Sequence, residues 1–306
     1  METDIKGLVA KIEHGSTHDG EGFRSVVYLC GCPLNCRWCH NPELICFRPQ
    51  LMYLQHKCVQ CRRCVTGCPD VFYWTKEGLR IEKDQCTQCG KCVAVCQGEA
   101  LQLSAKSVSA QEVFEELVED KTFYKYSGGG VTFSGGECLM QHGFLKTLLQ
   151  MCKGESIHTC VESCLFVSFS IVEELAALVD HFFVDIKIMD SEKHTQLTGQ
   201  SNDLILENIQ KLSKIHKNIT FRLPLIPGVN DDWENLRQTV SFIAGLTHLK
   251  TKRLELLSYN PLAESKYGSI GKQFHNFGKP QSTQQLQDLA RSLDDLADTV
   301  SVFYKA

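Results

Sequence analysis

The sequence predicts an α/β protein built on a parallel sheet, interrupted near its N-terminal end by an insert that metal holds together. Three observations carry that prediction. Across residues 106–306, apolar runs of strand length alternate with helical patterns, the rhythm of βα units around a parallel sheet. Before them, residues 49–105 hold two cysteine-rich runs with little hydrophobic periodicity. Those two runs repeat one another, and each is too small to bury a core unless a metal ties it together.

The elements follow in order. Arg24-Ser-Val-Val-Tyr-Leu-Cys30 reads as a short buried strand that feeds directly into a first cysteine group. Further strands are expected at 130–133, 156–161, 181–186, 218–223, 252–257 and 298–304. Helices are expected at 108–121, 139–152, 168–179, 203–216, 232–245 and 281–294. Residues 1–48 and 106–306 then form one unit, with 49–105 as the insert. This pattern fits an open sheet and a partial barrel equally well.

A chain of 306 residues, 43% hydrophobic and 22% charged, has room for a substantial globular core. Its net charge of −4 weighs against nucleic acid as the main partner, because phosphate binding needs a basic surface. The opening Met1-Glu2-Thr3-Asp4-Ile5-Lys6 lacks the pattern of a secretion signal, and no apolar run is long enough to span a bilayer. A cytoplasmic protein without a membrane partner is expected. Seventeen cysteines in such a chain point to metal or redox chemistry, since the cytosol keeps thiols reduced.

Eleven of the cysteines form three tight groups between Cys32 and Cys96. Cys58-x2-Cys61-x2-Cys64-x3-Cys68-Pro69 recurs as Cys86-x2-Cys89-x2-Cys92-x3-Cys96, with Gln97 in place of the trailing proline. This is the ligand spacing of bacterial-type [4Fe–4S] ferredoxins, in which the fourth cysteine of each run crosses to the other cube. Cys58, Cys61, Cys64 and Cys96 are expected on one cube, and Cys86, Cys89, Cys92 and Cys68 on the other. Zinc is the bland alternative. Fully ligated cubes carry electrons rather than bind substrate.

The first group differs. Cys32-Pro-Leu-Asn-Cys36-Arg-Trp-Cys39 supplies three thiolates and no fourth at matching distance. A cube so held keeps one iron open, and an open position separates a reactive metal site from a structural one. A zinc knuckle completed by His40 is the competing reading. Downstream, Gly135-Gly136-Glu137 follows a strand, where a glycine pair lets backbone approach a ligand and the carboxylate offers a charged acceptor. Asp185-Ile186-Lys187 ends another strand, and alternation puts Asp185 and Lys187 on one face. The bland reading there is a surface ion pair. The scattered Cys30, Cys46, Cys138, Cys152, Cys160 and Cys164 read as small hydrophobes. Cys30, two residues before Cys32, is the one placed to approach a cluster.

The Cys-x3-Cys-x2-Cys spacing resembles that of the radical S-adenosylmethionine (SAM) superfamily. Four segments sharpen the resemblance to its glycyl radical enzyme activating enzymes. These are His18-Asp-Gly-Glu-Gly-Phe-Arg24, Gly31-Cys32 to Asn41-Pro42-Glu43, Ser127-Gly-Gly-Gly-Val-Thr-Phe-Ser-Gly-Gly-Glu137 and Arg222-Leu-Pro-Leu-Ile-Pro-Gly-Val-Asn-Asp231. The ferredoxin-like run resembles the branch with two auxiliary clusters.

The resemblance implies a partial (β/α)6 barrel with a ferredoxin-like insert, three [4Fe–4S] clusters and SAM. It implies that SAM chelates the open iron and is cleaved by one electron, drawn from a flavodoxin or ferredoxin. The deoxyadenosyl radical would take a hydrogen from a backbone glycine of a partner glycyl radical enzyme, in an anaerobic setting. By the same resemblance Trp38 backs the adenine, and Gly135, Gly136 and Glu137 meet the SAM ammonium. Asp185 and Lys187 lie by its carboxylate and Arg222 helps hold it. Glu162 and Ser163 sit near SAM, around a monovalent cation, and Asp19 positions the partner's glycine loop. Glu21, Phe23, Cys138 and Asn260 depart from the family pattern. A radical SAM enzyme for a small molecule or peptide, and a ferredoxin-type electron carrier, are the alternatives.

Overall fold

The computed structural model describes residues 4–296 and 299–305. Its strands run, in chain order, β1 (Lys6–Ser16), β2 (Arg24–Leu29), β3 (Leu51–Tyr53), β4 (Phe72–Thr75), β5 (Gly78–Ile81), β6 (Leu101–Leu103) and β7 (Lys106–Ser109). There follow β8 (Gly130–Gly135), β9 (His158–Ser163), β10 (His181–Asp185), β11 (Ile219–Pro224), β12 (Arg253–Leu257) and β13 (Ser301–Lys305). Nine of them make one sheet in the order β13-β12-β11-β10-β9-β8-β2-β1-β7. From β2 to β13 every pairing is parallel. At the other edge β1 and β7 add antiparallel strands. The sheet is mostly parallel and open, with β13 and β7 as its edges.

The expected strands and helices appear within a few residues of their predicted bounds. The helix expected over 108–121 ends at Glu119, and Lys121–Ser127 follows as a separate helix. The helix Ala110–Glu119 starts on a capping box in which Ser109 and Glu112 satisfy each other's backbone N–H. The strand expected at 298–304 begins at Asp298, outside the described residues. β1, β7 and the helices Ser191–Thr198 and Glu264–Ser269 are additions to the sequence reading.

Alternation along the parallel strands sorts the two faces of the sheet. Val161, Phe182, Val184, Phe221, Leu223, Leu254 and Leu256 are fully buried and join the apolar core. The opposite face carries Glu162, Phe183, Asp185, Arg222 and Glu255. Register sets these side by side: Glu162 opposes Phe183, Asp185 opposes Arg222, and Arg222 opposes Glu255. One face therefore makes the core, and the other holds a charged interior.

The cysteine-rich segment leaves and returns through one antiparallel pair, β3 against β6. Its internal repeat is visible in the backbone: Gln60 and Gln88 share φ 56°, and Arg62 and Gly90 both lie in the left-handed region. A small core of Leu51, Val71, Phe72, Cys92 and Leu101 joins the halves.

Candidate active site

Beyond β2 the chain folds back on itself before it leaves the sheet. Gly31 N donates to Leu44 O at 2.8 Å and Cys32 N to Ile45 O at 3.0 Å. The same loop is fastened to the helix Ser191–Thr198, with Asn35 N on Thr198 O at 2.7 Å and Arg37 N on Leu197 O at 3.0 Å. The end of β8 lies against it, which explains the glycine pair. Gly135 has φ +120°, and a Cβ there would stand 2.2 Å from Leu29 O, while one at Gly136 would stand 2.4 Å from Gly31 O. No other residue fits that crossing.

The outcome is a cavity of about 310 Å³ at the C-terminal ends of the parallel strands. Cys32, Cys36 and Cys39 border it together with Trp38, Gly135, Gly136, Glu162, Ser163, Asp185 and Lys187. Trp38 is buried among Ile188, Ile226, Val229 and Tyr259, so its ring is fixed. Burial pushes the Cys39 thiol up to about 12 and raises those of Cys32 and Cys36. Thiols so placed ionise only against a bound cation. Among the described residues no three ligand-type side chains crowd as they do round a single metal ion; thiolates on a cube bind separate irons and stand further apart. Three half-buried thiols, a wall without Cβ atoms and an adjoining ion pair fit an iron–sulfur cube with a zwitterionic ligand.

Charge on this face is organised in two steps. At the cavity wall Lys187 Nζ meets Asp185 Oδ2 at 2.8 Å. Burial opposes the Lys187 ammonium, but Asp185 outweighs it and holds the lysine above its ordinary range. Deeper, Arg222 Nε donates to Glu255 at 2.9 Å, its Nη1 meets Glu162, and its guanidinium lies 3.7 Å from the Phe183 ring centre. Burial opposes both charges of that pair too. Burial raises the Glu162 carboxyl against the pull of Arg222, while Glu162 and Glu255 hold the guanidinium above its ordinary range.

Two expected SAM contacts are placed otherwise. Glu137 is 1% exposed and turned away from the cavity. It accepts from Leu139 N and Ser163 Oγ on one oxygen, and from Cys164 N and Cys164 Sγ on the other, at 2.8–3.1 Å. Glu137 braces the turn after β9 rather than facing a ligand, because a carboxylate this buried has to find its donors within the protein. Arg222 stands one residue behind the wall and reaches the cavity through Glu162. Ser163 borders the cavity, yet its hydroxyl is engaged between Glu137 and Leu165 N.

The sequence profile of the radical SAM superfamily matches residues 26–240. The (2S)-3-sulfopropanediol dehydratase activating enzyme of Klebsiella oxytoca is 41% identical over 277 residues, covering 89% of this chain and 87% of that one. The chain belongs to the glycyl radical enzyme activating enzymes of the radical SAM superfamily. The trans-4-hydroxy-L-proline dehydratase activating enzyme of Clostridioides difficile is 38% identical over 93% of this chain and 95% of its own. A radical SAM methyltransferase from Sphaerobacter thermophilus shares the fold, with TM-score 0.53 at 13% identity over 97% of this chain and 77% of that chain. Membership brings a [4Fe–4S] cluster, SAM and a glycyl radical enzyme as the protein acted upon. Among the described residues of this activating enzyme, no helix is long and apolar enough to cross a membrane.

Ser134, Ser258 and Tyr259 of the activating enzyme's site were not singled out from sequence, and they border the cavity together with Asn260, expected only to depart from the family pattern, and Cys164, expected only to fill the core. Asn230, fully buried, accepts from Ile226 N at 2.6 Å and donates to Lys187 O and Pro224 O, both at 2.7 Å. It stitches β10 to β11 just where Lys187 emerges. Lys266 Nζ donates to His40 O at 3.0 Å and Asn41 Oδ1 at 2.6 Å, tying the helix Glu264–Ser269 to the three-cysteine loop. Asp19 accepts from Ser16 Oγ, and its carbonyl accepts from Thr132 Oγ1 at 2.7 Å, so its loop is held above β8. Cys30 turns its thiol to Cys46 O at 3.0 Å.

In the cysteine-rich segment, Cys58, Cys61, Cys64 and Cys96 border one small cavity with Tyr53, Trp74 and Leu79. Cys92 is buried; burial, and then the neighbouring Cys86 and Cys68, push its thiol up to about 11. Cys58, Cys61 and Cys64 are thus grouped with Cys96, and Cys86 and Cys92 with Cys68.

Proposed function

We propose that this activating enzyme holds a [4Fe–4S] cube on Cys32, Cys36 and Cys39 and binds SAM at the open iron. It then takes a hydrogen atom from one backbone glycine of its partner glycyl radical enzyme. One observation carries the reading: three thiols, a Cβ-free wall and the Asp185–Lys187 pair share one cavity. The bound cube and SAM supply the electron and the abstracting carbon radical. The chain's own residues position and shield. Lys187 and Asp185 offer opposite charges to the zwitterionic amino acid end of SAM, and the Gly135–Gly136 backbone lets that end approach. Trp38 gives the adenine an apolar backing. Glu162 faces the ribose side and is anchored by Arg222, while Glu137 and Ser163 hold the turn that closes the wall. Asp19, on the loop above β8, suits a contact with the partner's glycine segment. A monovalent cation would need Glu162, which is already engaged by Arg222 and by Ser134 Oγ at 2.6 Å, so none is assigned.

In the same reading residues 49–105 are a ferredoxin-like insert on a partial barrel formed by 1–48 and 106–306. The insert carries one cube on Cys58, Cys61, Cys64 and Cys96 and another on Cys86, Cys89, Cys92 and Cys68, fed by a flavodoxin or ferredoxin. Seventeen unpaired cysteines suit a reducing cytoplasm, and the oxygen-sensitive product an anaerobic one. The test is anaerobic reconstitution, expected to give about twelve irons per chain, followed by SAM and dithionite. Methionine, deoxyadenosine and a glycyl radical signal on an added partner are the expected products, all lost in Cys36→Ala. Deoxyadenosine without that radical would favour a small-molecule or peptide substrate. No deoxyadenosine would leave an electron carrier.

A further inference from the structure

The two halves of the cysteine-rich segment share a backbone but not a surface. Cys58 N donates to Gln55 O at 3.1 Å, and its counterpart Cys86 N donates to Lys83 O at 3.0 Å. Yet the first half carries His56, Lys57, Arg62 and Arg63 with no acid between 55 and 68, where the second has Asp84, Gln85, Gly90 and Lys91. Lys57, Arg62 and Arg63 are all exposed. None of the three is in an ion pair among the described residues, in contrast to Arg80, which pairs with Glu77. Arg62 leans on the Trp74 ring and borders the cavity of Cys58, Cys61, Cys64 and Cys96. Arg63 borders an open depression of about 540 Å³ that reaches Val95 and Cys96 and has no acid in its lining. Val59, which lines the first cavity with the exposed Cys61, is 62% exposed, and Val95, which lines the depression with Arg63, is 40% exposed.

The second half looks the other way. Lys83, next to Cys86 in the fold, is half-buried against the segment after the helix Glu264–Ser269: a Cβ on Gly271 would stand 3.3 Å from its Nζ. That helix grips the three-cysteine loop through Lys266, and Tyr267 OH donates to Arg37 O at 3.4 Å. One half of the repeat therefore meets solvent with unopposed positive charge and apolar tips. The other leads toward the radical site.

We propose that the face formed by Lys57, Val59, Arg63 and Val95 is the docking surface for an acidic one-electron carrier protein. Electrons arrive at the cube of Cys58, Cys61, Cys64 and Cys96 and leave by the cube of Cys86, Cys89, Cys92 and Cys68. This rests on the two-cube reading above. In the transfer the reduced carrier loses one electron, the first cube passes from its 2+ to its 1+ state, and no bond or proton moves. Charge complementarity of this kind acts mainly on the rate of encounter and is screened by salt.

The test compares the reconstituted full chain with Lys57→Glu/Arg63→Glu and with Lys91→Glu, a charge reversal at the mirror position of the second half. Reduction by an acidic flavodoxin hydroquinone is followed by stopped flow at low and high salt. The double variant is expected to lose about tenfold or more of the second-order rate constant, and most of its salt dependence. Lys91→Glu is expected to keep both, and reduction by dithionite to be equal in all three. An unchanged rate in the double variant at full iron content would overturn the docking surface alone. So would an equal loss in Lys91→Glu, or a loss of glycyl radical yield with dithionite as reductant, which would make this face the partner enzyme's. About four irons per chain in the parent protein would instead remove the two-cube reading itself.

Discussion

Glu137 and Asp185 are both carboxylates at the ends of strands that flank β9, and they do different jobs. Glu137 is saturated by internal donors, whereas Asp185 has only Lys187 and the cavity. Glu137→Gln is expected to destabilise the fold by about 1–3 kcal/mol, since an amide NH2 replaces one acceptor oxygen and leaves buried donors unmatched; thermal unfolding measures it. Asp185→Asn is expected to leave the unfolding temperature nearly unchanged and weaken SAM binding about tenfold or more, read by titration of the cube's spectrum. His181 gives a pH signature. Burial, reinforced by His158, His216, Arg222 and Arg253, lowers its pKa to about 4. The unfolded chain protonates it near pH 6.5 and the folded one only near 4, so its contribution is complete above 6.5 and lost as pH falls through that window. His181→Gln should flatten the fall in unfolding temperature between those pH values, and an unchanged slope would refute the assignment. The sequence displayed these residue types plainly. It did not display where Glu137 points, because period-two alternation stops at the strand end.

Among the elements, β8 is the most constrained. Gly135→Ala adds a left-handed strain and a Cβ inside the Leu29 backbone, and together these are expected to cost upwards of about 3 kcal/mol. The variant should be recovered mostly insoluble, and a soluble, normally melting protein would contradict the crossing described. The parallel strands were legible because full burial leaves near-continuous apolar runs. β1 was not, since Leu8-Val9-Ala10 interrupts its alternation and its far half is exposed. The helix Glu264–Ser269 spans six residues, too few for a period to show. Its hold on the three-cysteine loop comes from one lysine and one tyrosine placed by tertiary folding. Asn230 is a similar case: its segment was recognised, but that its amide joins two strands is a fact of register.

At the scale of the whole molecule, stability is divided unequally. The sheet has a continuous apolar core, while the cysteine-rich segment has only a handful of buried side chains. A strong iron chelator under reducing conditions is therefore expected to expose residues 54–100 to proteolysis while the remainder resists, visible as limited-digestion fragments. Simultaneous loss of both parts would show that they fold as one. The repeat and its ligand spacing made this division readable in the chain, whereas the openness of the sheet was not, because strand order is silent about closure. The way the segment joins the sheet has a further consequence. Leu54 N bonds Ala100 O at 2.7 Å, directly beyond the β3–β6 ladder. Two chain ends already in register need only a tight turn to become an ordinary hairpin. Removing the whole side branch in favour of such a turn is therefore expected to leave the catalytic strands undisturbed.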